Sequence, residues 1–277
     1  MTASEARYEN TGVLRSETVR GAWVVGYREV LRFVSDRSRL LGSLFLPLML
    51  LVIFGAGFSE LIGTVTASVD YVQFLYPGIL AITVLTSSLT AGVGIVADRE
   101  YGFLREILVA PLSRTGIVLG KTAGATLQAL LQTSLLLLLA PLLGVRLTPG
   151  IVLSLVPIIA ILSTGLAGLG ILLASFIRSQ QGFQLLGQLV IFPLIFLAGV
   201  FFPVNQVSSA VEAISKLNPL TYGVDAVRHV FLPEAGTGAV GVTVGAYTTT
   251  LAIDLIVVSA MSALLLGVAI WAFNRRD

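Results

Sequence analysis

The chain has 277 residues, 56% of them hydrophobic and only 12% charged, with a mean hydropathy of +0.94 and a formal net charge of +2. Soluble domains carry about a quarter charged residues, so this composition excludes one and points to an integral membrane protein. With no cysteine and a single histidine, His229, the chain lacks the donors for a disulfide framework, a thiol nucleophile or a His-rich metal cluster.

The amino terminus is polar and charged, without the basic stub and apolar core of a cleavable secretory signal, so the spans themselves are expected to direct insertion. Residues 16–39 are too charged to cross a bilayer but are periodic. Trp23, Tyr27, Val30 and Val34 recur at helical spacing, with Glu17, Arg20, Arg28, Arg32 and Asp36 opposite. This pattern predicts an amphipathic helix in the interface plane, its arginines toward water and anionic headgroups. Residues 1–39 are therefore read as a tail plus interfacial helix, and 40–277 as the membrane domain.

A helix needs about 20 mostly apolar residues to cross a hydrocarbon core of about 30 Å. Six segments qualify: 40–59, 73–97, 117–142, 150–177, 184–203 and 249–273. They do not alternate as β-barrel strands do, so the predicted fold is all-α with six transmembrane helices. Fourteen of the seventeen Lys and Arg residues fall on one side, in the amino-terminal segment, the 98–114 connection with Lys121 at its border, Arg178 and the tail. Only Arg146, Lys216 and Arg228 fall on the other. Cations accumulate on the cytoplasmic side, which predicts a multi-pass protein of the cell membrane with both termini cytoplasmic.

The 98–114 connection runs into "GIVLGKT", which is close to a phosphate-binding loop. Gly116 and Gly120 enclose three residues where that loop needs four, Thr115 stands where glycine is wanted, and no strand leads in. The spacing argues against nucleotide binding. Instead, Glu100, Arg105 and Glu106 alternate in sign around Leu104 and Leu108, predicting a short amphipathic helix that begins near Asp98 and ends before Pro111. It holds no nucleophile-base pair or metal spacing, and reads as a solvated face or a contact surface.

On the opposite side, residues 204–248 are too apolar for an idle loop. Val207, Val211 and Ile214 mark one short helix, Asn218-Pro219 a turn, and Val224, Val227 and Phe231 a second helix. Such a hairpin either lies on the surface or dips into the outer leaflet. Asp254 reads as an acid at headgroup depth or a functional one, and His229 as a satisfied interfacial side chain. Small residues predict close helix contact at Ser87, Ser88, Ala91 and Gly92, and again at Gly165, Gly168 and Gly170.

Four stretches, "YREVLRFVSDRSRLLGSLFLPLMLLVIFG", "FLYPGILAITVL", "EYGFLREILVAPLSRTGIVLGK" and "LAGVFFPVNQVSSAVEAISKLNPLTYGVDAVR", resemble the type-2 ABC transporter permeases. These are membrane subunits of ATP-driven exporters, and the likeness is nearest to the daunorubicin-resistance and lipo-oligosaccharide-export branch. The resemblance implies that the helix within 98–114 docks onto a separate ATPase through Glu100, Gly102, Arg105, Glu106, Pro111 and Arg114. The amino-terminal helix, with Arg28, Arg32 and Asp36, would lie beside the same subunit. It further implies that the 204–248 hairpin is a re-entrant outer gate with fixed points at Pro203, Asn218, Pro219 and Tyr222.

Two ATPase copies and a second permease subunit would complete the complex, with membrane lipids around it and no nucleic acid. ATP and Mg would be bound by the partner, leaving this chain without cofactor, metal or catalytic residue. A substrate path along Thr83, Thr86, Ser87, Gln188, Phe192 and Phe196 suits an amphiphilic drug, lipid or glycolipid. The alternatives are an ion-coupled secondary transporter, for which inverted repeats and paired buried charges are expected, and a non-transporting scaffold.

Overall fold

A computed structural model describes residues 19, 21–62, 71–102, 113–145, 147–232, 240–244 and 247–276. Among these the chain is almost wholly helical. Helix α1 (21–35) breaks at Asp36 and is followed by α2 (Arg37–Ile62), α3 (Tyr71–Glu100) and α4 (Arg114–Leu139), the last extended by a 3-10 turn over Ala140–Leu143. Then come α5 (Pro149–Ala174), α6 (Gln180–Leu197), α7 (Ser209–Ser215), α8 (Pro219–Phe231) and α9 (Leu251–Arg276). A two-residue antiparallel ladder, β1 (Thr243–Val244) with β2 (Tyr247–Thr248), leads into α9. The helix starts are chemically marked: the side chains of Ser113, Thr148, Ser179 and Asn218 each accept a backbone N–H of the following turn. Pro149 and Pro219 occupy first helical positions, where a missing N–H costs nothing.

Five helices, α3, α4, α5, α6 and α9, are long and apolar enough to cross a membrane. The first of the six predicted spans is a continuous helix of 26 residues, α2. Its apolar run among the described residues is only Leu41–Gly55, short of the roughly 20 residues a crossing needs.

α3 is the axis of the bundle, with 78% of its central apolar stretch buried against 11% for α6. It packs against α2, α4, α5, α6 and α8, while α9 lies chiefly on α5. Small residues set the closeness of these crossings. A Cβ on Gly92 would stand 2.2 Å from the Gly170 carbonyl oxygen, and one on Gly165 would stand 2.3 Å from Ser262 Oγ. The predicted small-residue contacts therefore pack helices within one chain: α3 on α5, and α5 on α9.

Successive long helices run in opposite directions, so one end of the bundle collects the end of α3, the start of α4, the end of α5, the start of α6 and the end of α9. Hydrogen bonds to Arg99, Glu100 and Arg114 mark it. We refer to it as the Asp98 end, and to the opposite one as the Asp254 end.

The hairpin divides unequally. α8 buries Leu220 through Arg228 against α3, α5 and α9, as its expected Val224 and Val227 face requires. The seven-residue α7 stays at the rim, with Ile214 exposed. Two expectations need correction. Asp98 does not open a loop helix: α3 runs past it to Glu100, and Asp98 is buried. Nor does α1 turn all its charged residues to water. Trp23, Tyr27 and Val34 are exposed, whereas Val25 and Phe33 are buried and Arg28 reaches into the protein.

Candidate functional site

At the Asp98 end, α1 crosses α4 closely because both are thin there. A Cβ on Gly120 would lie 2.8 Å from the Ala22 carbonyl oxygen, and one on Gly124 would lie 2.7 Å from Glu29 Cβ. This contact brings Glu29 over Lys121. The Lys121 ammonium, its side chain 1% exposed, donates to Asp98 Oδ2 at 2.6 Å and to Glu29 Oε1 at 2.7 Å. Arg28 adds a second cation, 3.0 Å from Asp98 Oδ2 and 3.2 Å from Glu29 Oε1. Two cations and two carboxylates thus bind three helices in one charge-balanced cluster, which is the condition under which buried charge is tolerated.

Burial pushes the Glu29 carboxyl up, but the Lys121 ammonium and the Arg28 guanidinium outweigh it and hold the group below its ordinary value. Arg28 loses to burial and gains more from Asp98 and Glu29, so its guanidinium is held above its ordinary value.

The same network disposes of the phosphate-loop resemblance. Gly116, Gly120, Lys121 and Thr122 all lie inside α4, the Gly120 backbone packs against α1, and the lysine is taken by carboxylates. Around the cluster, Arg99 Nη1 donates to the Ala174 and Ile177 carbonyls at 2.8 and 2.9 Å, closing the end of α5. Glu100 Oε2 accepts the Gln180 N–H at the start of α6 at 3.0 Å. Arg114 Nη1 donates to the Asn274 carbonyl at the end of α9 at 3.1 Å. Sequence reasoning missed Glu29, Asp98, Arg99 and Lys121 as a unit. The one available signal was a lysine bordering an apolar run with acids on the neighbouring helices.

Of the expected ATPase-contact residues, Arg28, Arg32, Asp36, Glu100, Gly102 and Arg114 belong to elements meeting at this end. Arg32, Asp36, Glu100, Gly102 and Arg114 are exposed, and Gly102 adopts φ 81°, a left-handed conformation suited to glycine. Arg105, Glu106 and Pro111 lie outside the described residues, as does the core of the expected coupling helix.

At the Asp254 end, Asn218 caps α8 and donates through Nδ2 to the Leu194 carbonyl at 2.8 Å, tying the hairpin to α6. Pro203 and Tyr222 are buried and Pro219 begins α8. Arg228, fully buried, lies 4.0 Å over the Phe74 ring and donates to the Gly199 carbonyl at 2.6 Å, where Gly199 turns the chain with φ 68°. His229 Nε2 makes no hydrogen bond among the described residues but forms an ion-pair contact at 3.4 Å with Oδ2 of Asp254, which is 0% exposed. Asp254 is thus enclosed by protein.

The expected path residues do not gather. Thr86 and Ser87 face a cavity of about 230 Å³ between α2, α3 and α4, shared with Ser43, Thr90, Gln128 and Gln132. Thr83 is fully buried, its hydroxyl bonded to the Ile79 carbonyl. Gln188, Phe192 and Phe196 instead lie exposed on α6.

Comparison with known proteins agrees with this architecture. Residues 20–232 match the ABC-2 type transporter family. The chain is 31% identical over 196 residues to a protein of Cyanophora paradoxa named as a transport permease, ycf38, covering 69% of this chain and 67% of that one. It is 30% identical over 197 residues to nodulation protein J of Rhizobium meliloti, covering 70% and 74%, and 30% identical over 212 residues to that of Bradyrhizobium diazoefficiens, covering 76% and 79%. The chain belongs to the ABC-2 type transporter family and is a membrane permease subunit of an ABC transporter.

Proposed function

We propose that this chain is the permease half of an exporter that moves an amphiphilic substrate (a drug, lipid or glycolipid) out of the cytoplasm or inner leaflet. Alternating access would be driven by a separate ATPase. In this reading the Asp98 end faces the cytoplasm, α2 also crosses the membrane and brings the spans to six, α7 and α8 form the outer re-entrant gate, and a second permease subunit completes the pathway. The skew of fourteen cationic residues to the segments that the sequence puts on that side of the spans supports the orientation.

One observation carries the reading. At the Asp98 end, the Lys121 cluster and its neighbouring hydrogen bonds link α1, α3, α4, α5, α6 and α9. A push delivered there by an ATPase is shared by the whole bundle as a rigid-body or shear movement. An ion-coupled transporter calls for paired buried charges in inverted halves; the charges at the two ends here differ in composition and partners.

The test is co-expression with the cognate ATPase, followed by purification and a transport assay in vesicles. Glu106→Arg is expected to leave membrane insertion intact while ATPase retention and ATP-driven transport fall at least about tenfold, the scale of a reversed interfacial charge. Full transport in Glu106→Arg, and again after deletion of residues 100–110, would sink the docking model.

A further inference from the structure

At the Asp254 end, three side chains from two helices converge on one point: Asp225 and His229, one turn apart on α8, and Asp254 in the first turn of α9. One ligand atom from each can be chosen so that all three lie within 4.8 Å of one another. His229 Nε2 stands 3.4 Å from Asp254 Oδ2 and 3.9 Å from Asp225 Oδ2. Both carboxylates are buried, at 1% and 0% exposed.

The hydrogen-bond inventory of the cluster is lopsided. Asp225 Oδ2 accepts the Val242 N–H and the Thr249 hydroxyl, each at 2.9 Å, which fixes that carboxylate against the ladder segment. Among the described residues, Asp225 Oδ1, both oxygens of Asp254 and His229 Nε2 have no hydrogen-bond partner, and Asp254 has only its ion-pair contact with His229. The nearby cations make their close contacts elsewhere: Arg228, whose charge is felt at Asp225 through space, stacks on Phe74 and donates to Gly199, and Lys216 pairs with Glu212 at 2.7 Å. Two buried carboxylates whose one ion-pair partner among the described residues is an imidazole carry a large desolvation cost. The Lys121 cluster at the other end, where each acid has its cation, makes the deficit plain.

We propose that Asp225, His229 and Asp254 bind a divalent transition-metal ion of the zinc class and thereby clamp α8 onto α9. The donor set of one imidazole nitrogen and two carboxylates is one that zinc accepts with a fourth position open. Ligand atoms about 2.0 to 2.2 Å from a tetrahedral zinc lie about 3.3 to 3.6 Å apart; the His229–Asp254 pair at 3.4 Å already fits, and the widest spacing of 4.8 Å must close by about 1 Å for a metal to engage all three. The Val242 N–H and Thr249 hydroxyl would act as the outer hydrogen bonds that orient a metal-bound carboxylate. The inference stands apart from the transport reading, because it concerns only how α8 is held.

The experiment uses the full chain in detergent, with any purification tag removed. The protein is stripped with a chelator, loaded with zinc, desalted, and its metal measured by mass spectrometry; Co²⁺ loading gives a visible ligand-field spectrum as a second readout. Wild type is expected to retain a single equivalent of zinc per chain and to show a tetrahedral Co²⁺ spectrum. Asp254→Asn and His229→Gln are expected to weaken retention at least about tenfold, while Glu212→Gln, outside the cluster, retains the full equivalent. Wild type that retains no zinc, or variants that retain as much as wild type, would overturn the proposal. Should the variants misfold, a Co²⁺ spectrum of wild type identical to the aqueous ion overturns it equally.

Discussion

Lys121 Nζ, held by Asp98 and Glu29 with almost no exposure, is the atom on which the junction of three helices turns. Lys121→Met keeps the length and apolar stem but leaves two acids facing each other with Arg28 alone to balance them. Breaking a buried pair by removing one partner costs about 3–5 kcal/mol, so a clear drop in the thermal midpoint in detergent is expected. Adding Asp98→Asn should recover part of the loss, since residues in one network are not additive by about 0.5–3 kcal/mol. A double variant as unstable as the sum of the singles would show that the two do not interact. This site was only half legible in the sequence. Lys121 was visible as a charge at the border of a span, and Asp98 as the edge of a loop, but their partnership depends on α3 running one turn further than its apolar pattern. The same limit hid the burial of Asp254: it stands four residues after a polar run, and only the fold of α8 against α9 removes it from water.

Among the elements, α1 shows why an amphipathic pattern settles the existence of a helix better than its neighbours. Trp23, Tyr27 and Val34 form the apolar stripe seen in the sequence and remain exposed, as suits a surface against lipid. The protein-facing side is a second, less conspicuous one made of Val25, Gly26, Glu29 and Phe33. Its contact with α4 depends on Gly120, whose missing side chain lets Ala22 and Val25 approach. Gly120→Leu is therefore expected to lift α1 from α4, separate Glu29 from Lys121 and destabilise the chain by about 1–3 kcal/mol, the usual range for overpacking. Limited proteolysis within α1 should become faster in that variant, and unchanged cleavage would count against the contact. The span pattern itself was largely legible because about 20 apolar residues leave little else for a segment to be. The boundaries drifted where composition and geometry part: α6 stops at Leu197 because Gly199 turns the chain, although the apolar run continues to Phe202.

At the scale of the whole molecule, α6 stands out for what it leaves uncovered. Leu185, Leu189, Phe192 and Phe196 are all more than half exposed, on a helix that buries little of itself. The proposed second permease subunit would supply a surface for it. Because the chain has no cysteine, a single Phe192→Cys substitution reports on this directly. If two copies meet along α6, a thiol-specific crosslinker is expected to yield a dimer in native membranes, whereas Leu138→Cys, more exposed still on α4, yields monomer. The reverse pattern would move the interface to α4. The two tryptophans are distributed with a further consequence. Trp23 lies on α1 and Trp271 near the end of α9, under the Arg275 guanidinium at 4.5 Å, and both are exposed. Tryptophan emission from this protein, excited selectively over tyrosine, is therefore a one-sided gauge: it registers what touches the Asp98 end, while the hairpin at the far end adds nothing to it until an indole is placed there.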